Sequence, residues 1–116
     1  MFRTFCRAKI ANATITRVEL LYGGSITIPP DVMKVSDILA GERVQVVNAN
    51  NGDRFDTYVI EGEKGSHDIV LNGPAARRGM VGDRIMILAY AIGERSEVKS
   101  PAMIYLDEKN KPIKGK

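Results

Sequence analysis

The sequence predicts a mainly β fold with short helices, folded as one domain of 116 residues. Runs of β-forming residues alternate with turn signals made of Gly, Pro and Asn. A hydrophobic share of 44% and a charged share of 27% are typical of a globular chain. A six-residue pattern (Gly, acid, Arg, β-branched, any, β-branched) occurs twice, at residues 41–46 and 82–87. Two copies favour a barrel of two similar halves, although so short a match also arises by chance.

The N-terminal part of the chain predicts strands followed by one helix. The predicted strands cover residues 3–10, 14–19 and 25–28. Gly23-Gly24 marks a tight turn or strand break before the last of them. Pro29-Pro30 cannot continue a strand and fits the start of a helix, which we expect over residues 31–40 with Gly41 as its cap. The apolar residues that recur there at helical spacing are Val32, Val35 and Leu39.

Asn51-Gly52 is the strongest turn signal in the rest of the chain and predicts a hairpin between strands 43–48 and 54–60. Further strands are predicted over residues 68–72, 84–91 and 103–106, and a helical turn over residues 75–78. Residues 93–116 hold six Lys/Arg and four Asp/Glu, whereas residues 1–92 hold eleven and ten. We expect residues 93–116 to form a peripheral tail with a charged, frayed end.

The composition excludes several classes of function. One Cys, Cys6, rules out an internal disulfide and a Cys-rich zinc site, and we expect no metal. His67 is the single histidine and makes a poor nucleophile–base pair with Cys6. The nearly neutral residues 1–92 argue against nucleic acid as a partner. The chain has neither an apolar membrane span nor a secretory signal, so we expect no membrane association and a cytoplasmic location.

Residues 3–92 resemble the pyruvoyl-dependent aspartate decarboxylase family. The segments that carry the resemblance are residues 9–10, 13–16, 21–28, 50–60 and 71–77, with Leu-Tyr-Gly-Gly-Ser-Ile-Thr-Ile at 21–28 and Asn-Gly-Asp-Arg-Phe-Asp-Thr-Tyr at 51–58. Their order and spacing fit without a long insertion. The resemblance implies a double-psi β-barrel assembled as a homotetramer. It also implies a precursor that cleaves itself into a small chain, residues 1–24, and a large chain, residues 25–116.

The cleavage implied by the resemblance lies between Gly24 and Ser25. The Ser25 hydroxyl would attack the Gly24 carbonyl, and elimination and hydrolysis of the resulting ester would leave a covalently bound pyruvoyl group in place of Ser25. Glycine at position 24 would permit positive φ and a strained turn. The pyruvoyl group would act as the cofactor, drawing electrons from the bond to the departing carboxylate. The expected reaction converts L-aspartate to β-alanine and CO2 for pantothenate and coenzyme A biosynthesis; whether a maturation helper is needed is left open.

The substrate-facing residues follow from the same resemblance. Tyr58 matches the family's proton donor, and a phenol is protonated at neutral pH. Lys9 and Arg54 offer cations for the two carboxylates of aspartate. Period-two alternation puts Arg54 and Tyr58 on one face of a strand and Thr57 on the other. The family position of Thr57 nevertheless contributes to processing and substrate binding, which requires a bulge or a barrel edge.

The loop Gly73-Pro74-Ala75 matches the family loop that lines the substrate, and Tyr22 and Asn72 match positions beside the site. Two residues depart from the family pattern. Many members carry His where this chain has Ala11, and the loop commonly reads Gly-Ala-Ala, so Pro74 removes one backbone N–H. Neither departure touches Gly24, Ser25 or Tyr58, and we therefore still expect an active enzyme.

Two other functions are compatible with the sequence. A small β-barrel of this kind also serves as a non-catalytic module that binds a partner or a small anion, because fold alone does not determine function. The chain could also decarboxylate another acidic amino acid, such as glutamate, since pocket length cannot be read from sequence. Detection of chain cleavage distinguishes the non-catalytic module from an aspartate decarboxylase, and substrate competition assays distinguish a decarboxylase of another acidic amino acid.

Overall fold

The computed structural model describes residues 1–113 as nine strands, one α-helix and two short 3-10 helices. The strands are β1 (Arg3–Thr14), β2 (Arg17–Glu19), β3 (Ser25–Ile28), β4 (Arg43–Asn48), β5 (Arg54–Glu61), β6 (Val70–Asn72), β7 (Arg84–Gly93), β8 (Ala102–Leu106) and β9 (Pro112–Ile113). The α-helix is α1 (Pro30–Ser36), and the 3-10 helices cover Gly73–Arg78 and Arg95–Glu97. The predicted mainly β fold with short helices is confirmed.

All nine strands belong to one mixed sheet, in the order β2-β6-β3-β5-β4-β7-β1-β8-β9. The β4–β5 hairpin turns at Gly52, whose φ of 78° lies in the left-handed region, as Asn-Gly predicts. Alternate residues of β1, β4 and β7 point into one core of mainly branched aliphatic side chains. Fully buried examples are Ile10, Ile15, Ile26, Val46, Ile85 and Ile87. The sheet therefore wraps around this core and sets its strand ends at the surface.

The two copies of the six-residue pattern form equivalent turns. Gly41 N–H donates to the Val59 carbonyl and Val59 N–H donates to the Glu42 carbonyl, at 2.7 and 3.0 Å. In the second copy, Gly82 N–H donates to the Ile15 carbonyl at 2.8 Å, and Ile15 N–H donates to the Asp83 carbonyl at 3.0 Å. Both glycines have positive φ, and the strands that follow, β4 and β7, are antiparallel neighbours. This repeated hydrogen-bond pattern supports a fold built from two similar halves.

The predicted helix over residues 31–40 is too long. Helix α1 ends at Ser36 because Asp37 adopts a left-handed conformation, with φ 55° and ψ 45°, and closes the last turn. Gly41 is therefore not the helix cap. Val35 and Leu39 are exposed, while Val32 and Ile38 are buried. The apolar spacing predicts too long a helix because Ile38, which follows the C-cap residue Asp37, is buried in the core without being helical.

The stretch predicted as a peripheral tail contributes two strands to the sheet. Strand β8 pairs in parallel with β1, and its Ile104 and Leu106 belong to the core. Asn110 is buried, and its side chain bonds the backbone of Thr14 in both directions at 2.9 Å. The predicted frayed end includes residues 114–116, which lie outside the described residues. In residues 1–113, the longest helix has seven residues, and none could cross a membrane.

Buried Asn48 ties the end of β4 to the 3-10 helix Gly73–Arg78. Its amide Nδ2 donates to the Arg78 carbonyl at 3.0 Å and to Asp83 Oδ2 at 2.9 Å, and its Oδ1 accepts the Asn50 N–H. The hydrogen bond from the Asn48 amide, followed by that from the Met80 N–H, holds the pKa of the Asp83 carboxyl below its usual value. Asn48 thus links the β4–β5 hairpin to the end of the 3-10 helix Gly73–Arg78 and to Asp83 through side-chain hydrogen bonds.

Replacing Asn48 with alanine should destabilise the fold by about 1–3 kcal/mol, because the buried amide's hydrogen bonds to the Arg78 carbonyl, the Asp83 carboxylate and the Asn50 N–H are lost. Urea titration of the wild type and Asn48→Ala measures the loss as a lower midpoint. Asn51→Ala is the matched control, since Asn51 is exposed although its amide also donates to the Arg78 carbonyl. Equal midpoints for Asn48→Ala and Asn51→Ala would show that burial of Asn48 is not the source of the effect.

Candidate active site

Strand β3 places Gly24-Ser25 between two other strands that carry predicted site residues. On one side β3 is antiparallel to β6, with Ser25 opposite Asn72. On the other side it is parallel to β5, with Ile26 opposite Val59. Extending this parallel register back along both strands sets Ser25 beside Tyr58 and Gly24 beside Thr57. Five residues from three segments that are distant in sequence therefore meet at the N-terminal end of β3.

Ser25 is completely buried in the described structure. Its Oγ accepts a hydrogen bond from Asn72 Nδ2 at 3.0 Å and lies 3.4 Å from the Gly23 carbonyl oxygen, to which it donates. Asn72 Nδ2 also donates to Thr27 Oγ1 at 3.0 Å, so the amide bridges two residues of β3. These bonds fix the Ser25 hydroxyl close to the backbone just upstream of it.

Gly73 is packed directly against the segment that precedes Ser25. Its φ is 62°, and a Cβ there would lie 2.3 Å from the Tyr22 carbonyl oxygen and 2.9 Å from Gly24 N. Both distances are shorter than any van der Waals contact, so only glycine fits. The first residue of the 3-10 helix Gly73–Arg78 is therefore in close contact with the backbone of residues 22–24.

Gly24 does not have the positive φ that the sequence suggested. Among residues 1–113, the positive-φ glycines are Gly41, Gly52, Gly65, Gly73 and Gly82. A Cβ at Gly24 would lie 3.5 Å from Pro74 Cδ, an ordinary contact. The expectation of a strained left-handed turn at Gly24 is thus wrong, and the left-handed conformation belongs to its neighbour Gly73.

A surface cavity of about 380 Å³ opens beside Gly24. Its lining residues are Gly24, Phe55, Asp56, Thr57, Tyr58, Pro74, Ala75 and Arg78. A cavity of this volume is in the range of small-molecule sites. It brings together the residue upstream of Ser25, the predicted proton donor and two residues of the predicted substrate loop.

Thr57 and Tyr58 both line this cavity although they are consecutive residues of one strand. Strand β5 alternates as predicted: Arg54, Asp56 and Tyr58 are exposed, and the residues between them turn inward. Pairing of β5 with β3 begins only at Val59, however, so the preceding residues form an open edge on that side. Both faces of β5 therefore reach the cavity at this edge, and no bulge is needed.

The two predicted substrate cations do not line this cavity. Arg54 is exposed, and its Nη1 donates to Gln45 Oε1 at 2.8 Å on the outer face of the hairpin. Lys9 is partly buried in β1, opposite Leu88 and Met103. Three strands, β5, β4 and β7, separate β1 from β3 in the sheet. Within one chain, the structure does not bring Lys9 and Arg54 together with Gly24-Ser25.

Tyr22 and Asn72 lie on the other side of β3. Both line a second cavity of about 510 Å³, together with Thr27. Asn72 is buried and reaches Ser25 directly, whereas Tyr22 is more than half exposed in the irregular segment before Gly24. Ser25 therefore lies between two cavities, separated from the first by Gly24 and from the second by Asn72.

Comparison with known proteins identifies the family of this chain. A family model described as Aspartate decarboxylase matches residues 1–113. This chain belongs to the aspartate decarboxylase family. The resemblance predicted from the sequence is therefore confirmed.

Several curated relatives of the aspartate decarboxylase family match this chain over nearly its whole length, and each is named Aspartate 1-decarboxylase. The relative from Kosmotoga olearia is 53% identical over 113 residues, covering 97% of this chain and 98% of its own. The relative from Acetivibrio thermocellus is 52% identical, covering 97% and 91%. The relative from Thermoanaerobacter pseudethanolicus is 51% identical, covering 97% and 98%.

The two departures from the aspartate decarboxylase pattern have different structural settings. Pro74 is the second residue of the 3-10 helix, where a backbone N–H has no helical partner, so proline fits without loss. Its ring lies next to Gly24, where a Cβ would be 3.5 Å from Pro74 Cδ, and both residues line the cavity. Ala11 lies in β1 opposite Tyr105 of β8 and does not line the cavity beside Gly24.

Arg78 and Phe55 also line the cavity, although the sequence does not predict them as site residues. The Arg78 guanidinium lies 5.9 Å above the centre of the Phe55 ring, within range of a cation–π contact. A signal was present, since residues three apart in a 3-10 helix share one side and Ala75 precedes Arg78 by three. The sequence predicts this helical turn, but only the tertiary fold determines which side of it faces the cavity.

Proposed function

We propose that this chain decarboxylates L-aspartate to β-alanine and CO2 by means of a pyruvoyl group made from its own Ser25. Membership of the aspartate decarboxylase family supports an enzyme of this kind. The observation that carries the proposal is the convergence at β3, where Gly24-Ser25 lies beside Thr57 and Tyr58 on one side and Asn72 on the other.

Self-cleavage begins with attack of Ser25 Oγ on the Gly24 carbonyl carbon, which transfers the acyl group from nitrogen to oxygen. Elimination across Cα–Cβ of residue 25 then releases residues 1–24 with a free carboxylate, and hydrolysis releases ammonia and leaves the ketone. Asn72 supports the first step because its amide holds Oγ at 3.0 Å. Thr57 lies beside Gly24, where its hydroxyl can stabilise the oxygen that becomes negative.

The Ser25 site suits a pyruvoyl group. The group keeps the Cα, Cβ and carbonyl of residue 25, exchanges nitrogen for oxygen and loses Oγ, so it takes no more space than the buried serine. When formed, it supplies an electron sink for the bond to the departing carboxylate. Gly24 separates Ser25 from the cavity of about 380 Å³. Cleavage after Gly24 would therefore open residue 25 to a substrate in that cavity.

Tyr58 is the proton donor in this proposal. It lies beside Ser25 by strand register and lines the cavity, and 44% of its surface is exposed. The phenol at this position can deliver a proton to the former α-carbon after CO2 leaves. Pro74 and Ala75 also line the cavity, and Gly73 packs against the backbone of residues 22–24.

Lys9 and Arg54 require a second copy of the chain in this proposal, because neither lines the cavity of its own chain. A homotetramer would supply such a copy. Large apolar side chains on the surface support association: Leu21 is 97% exposed, and Met80 and Ile92 are about three-quarters exposed. We further propose that the enzyme acts in the cytoplasm, supplies β-alanine for pantothenate synthesis and needs no metal ion.

Replacing Tyr58 with phenylalanine should leave chain cleavage intact and lower turnover by about 10²-fold or more, because only the donated proton is removed. Release of CO2 from labelled aspartate measures turnover, and denaturing gel electrophoresis measures cleavage. Tyr105→Phe is the matched control, since Tyr105 lies in β8 and lines neither cavity beside Ser25. Equal turnover of wild type and Tyr58→Phe would reject the role of Tyr58.

The same assay separates this function from its alternatives. A non-catalytic binding module would release no CO2 from aspartate at any protein concentration. A decarboxylase of another acidic amino acid would release CO2 from glutamate faster than from aspartate when both compete. Aspartate as the preferred substrate is the outcome that the proposal requires.

A further inference from the structure

Arg78 is the cation of the cavity beside Gly24. The cavity is lined by one other charged side chain in the described part of the chain, Asp56. Asp56 is already neutralised by Arg43, whose Nη2 lies 2.6 Å from its carboxylate oxygen. Arg78 itself has a looser ion pair, with Asp53 Oδ2 at 3.7 Å, so its positive charge is the one available to an anion in this cavity.

The position of Arg78 is well defined even though its side chain is exposed. Its carbonyl accepts hydrogen bonds from the amides of Asn48 and Asn51, both at 3.0 Å, which fix the end of the 3-10 helix. The guanidinium lies over the Phe55 ring, another wall of the cavity. Backbone and side chain are thus both held from the β4–β5 hairpin.

The guanidinium of Arg78 has unused hydrogen-bonding capacity. Its nearest carboxylate oxygen, Asp53 Oδ2, is 3.7 Å from Nη1, which is beyond hydrogen-bond distance. Among residues 1–113, no side chain or carbonyl accepts a hydrogen bond from it, whereas Arg54 donates to Gln45. An arginine that is oriented and still has free donors is suited to bind a carboxylate with two parallel hydrogen bonds.

We infer that Arg78 binds a carboxylate of the dianionic substrate in this cavity and so contributes to selection of acidic substrates. The inference rests on the function proposed above and adds a cation from the chain that carries the cavity. Lys9 and Arg54 do not line this cavity in their own chain, whereas Arg78 does. Arg78 acts on binding and takes no part in proton transfer.

Titration calorimetry with succinate tests the inference, because succinate carries both carboxylates of aspartate and has no amine to react. The proteins compared are the purified full-length wild type, Arg78→Met and Arg77→Met. Arg77 is exposed in the same 3-10 helix and does not line the cavity, so its replacement makes the same change of charge. We expect Arg78→Met to bind succinate about tenfold or more weakly and Arg77→Met to remain within about twofold of wild type.

Arg78→Lys provides a second variant that keeps the charge and most of the aliphatic stem. We expect it to bind succinate with an affinity between wild type and Arg78→Met, because lysine lacks the planar fork. If Arg78→Met fails to fold by circular dichroism, the comparison of wild type with Arg78→Lys decides. Equal succinate affinity in wild type and the folded Arg78 variants would overturn the inference, and so would absence of succinate binding by the wild type.

Kinetics distinguish failure of this inference from failure of the proposed function. If wild type releases no CO2 from aspartate even after incubation with cell extract, the proposed function is wrong, whatever the succinate measurements show. If wild type is active, Arg78→Met should raise KM for aspartate by about tenfold with a smaller change in kcat. A fall in kcat at unchanged KM and unchanged succinate affinity would contradict a role in binding.

Discussion

Replacing Ser25 with alanine is expected to abolish both chain cleavage and release of CO2 from aspartate. Without Oγ there is no nucleophile to attack the Gly24 carbonyl, and no ketone can form. The fold should survive, because Asn72 Nδ2 keeps Thr27 Oγ1 as a hydrogen-bond acceptor at 3.0 Å. Loss of activity in a stable protein would therefore point to chemistry and not to packing.

Gel electrophoresis, a CO2-release assay and thermal unfolding together measure this prediction. Ser96→Ala is the matched control, since Ser96 is exposed in the 3-10 helix Arg95–Glu97 and lines neither cavity beside Ser25. Ser96→Ala should be cleaved and active like the wild type. Cleavage of Ser25→Ala between residues 24 and 25, or residual decarboxylation close to wild type, would refute the assigned role of Ser25.

Replacing Gly73 with alanine should be the most damaging small change outside Ser25. The new Cβ would lie 2.3 Å from the Tyr22 carbonyl oxygen, so the backbone of residues 22–24 must move. Left-handed φ alone costs about 1–2 kcal/mol for a non-glycine residue, and the overlap adds about 1–3 kcal/mol. Because the displaced segment contains Gly24, self-cleavage should also slow or stop.

Gly52→Ala separates the two causes. Gly52 also has a left-handed φ, 78°, but a Cβ there would have no neighbour within 4 Å. It should therefore show only the conformational cost and be cleaved normally. Urea titration and the rate of appearance of residues 1–24 are the measurements. If Gly73→Ala and Gly52→Ala lose equal stability and cleave at equal rates, the contact between Gly73 and residues 22–24 is unimportant.

Strands whose pattern depends on neighbours in sequence could be predicted well. Strand β4 has the predicted bounds, 43–48, because alternating buried valines and the Asn-Gly turn define both ends. Helix α1 was overestimated because a left-handed Asp37 has no strong sequence signal and Ile38 continues the apolar spacing. The role of β8 depends on parallel pairing with β1, more than ninety residues earlier, which no local pattern reveals.

The candidate site shows the same division. Residues carried by contiguous motifs, such as Gly24-Ser25 and Thr57-Tyr58, do meet, because β3 and β5 are neighbours in register. Lys9 and Arg54 do not join them within one chain, since sheet order and the bond to Gln45 set them elsewhere. Arg78 joins the cavity through the direction of one 3-10 helix, and only the tertiary fold determines that direction.

Denaturing mass spectrometry of the full-length protein tests the central claim most directly. We expect two fragments, residues 1–24 and residues 25–116, with the second lighter by one ammonia than a fragment that begins with intact serine. Reduction with borohydride in the presence of aspartate should add mass only to the larger fragment. An intact 116-residue chain under every condition, including incubation with cell extract, would contradict the account.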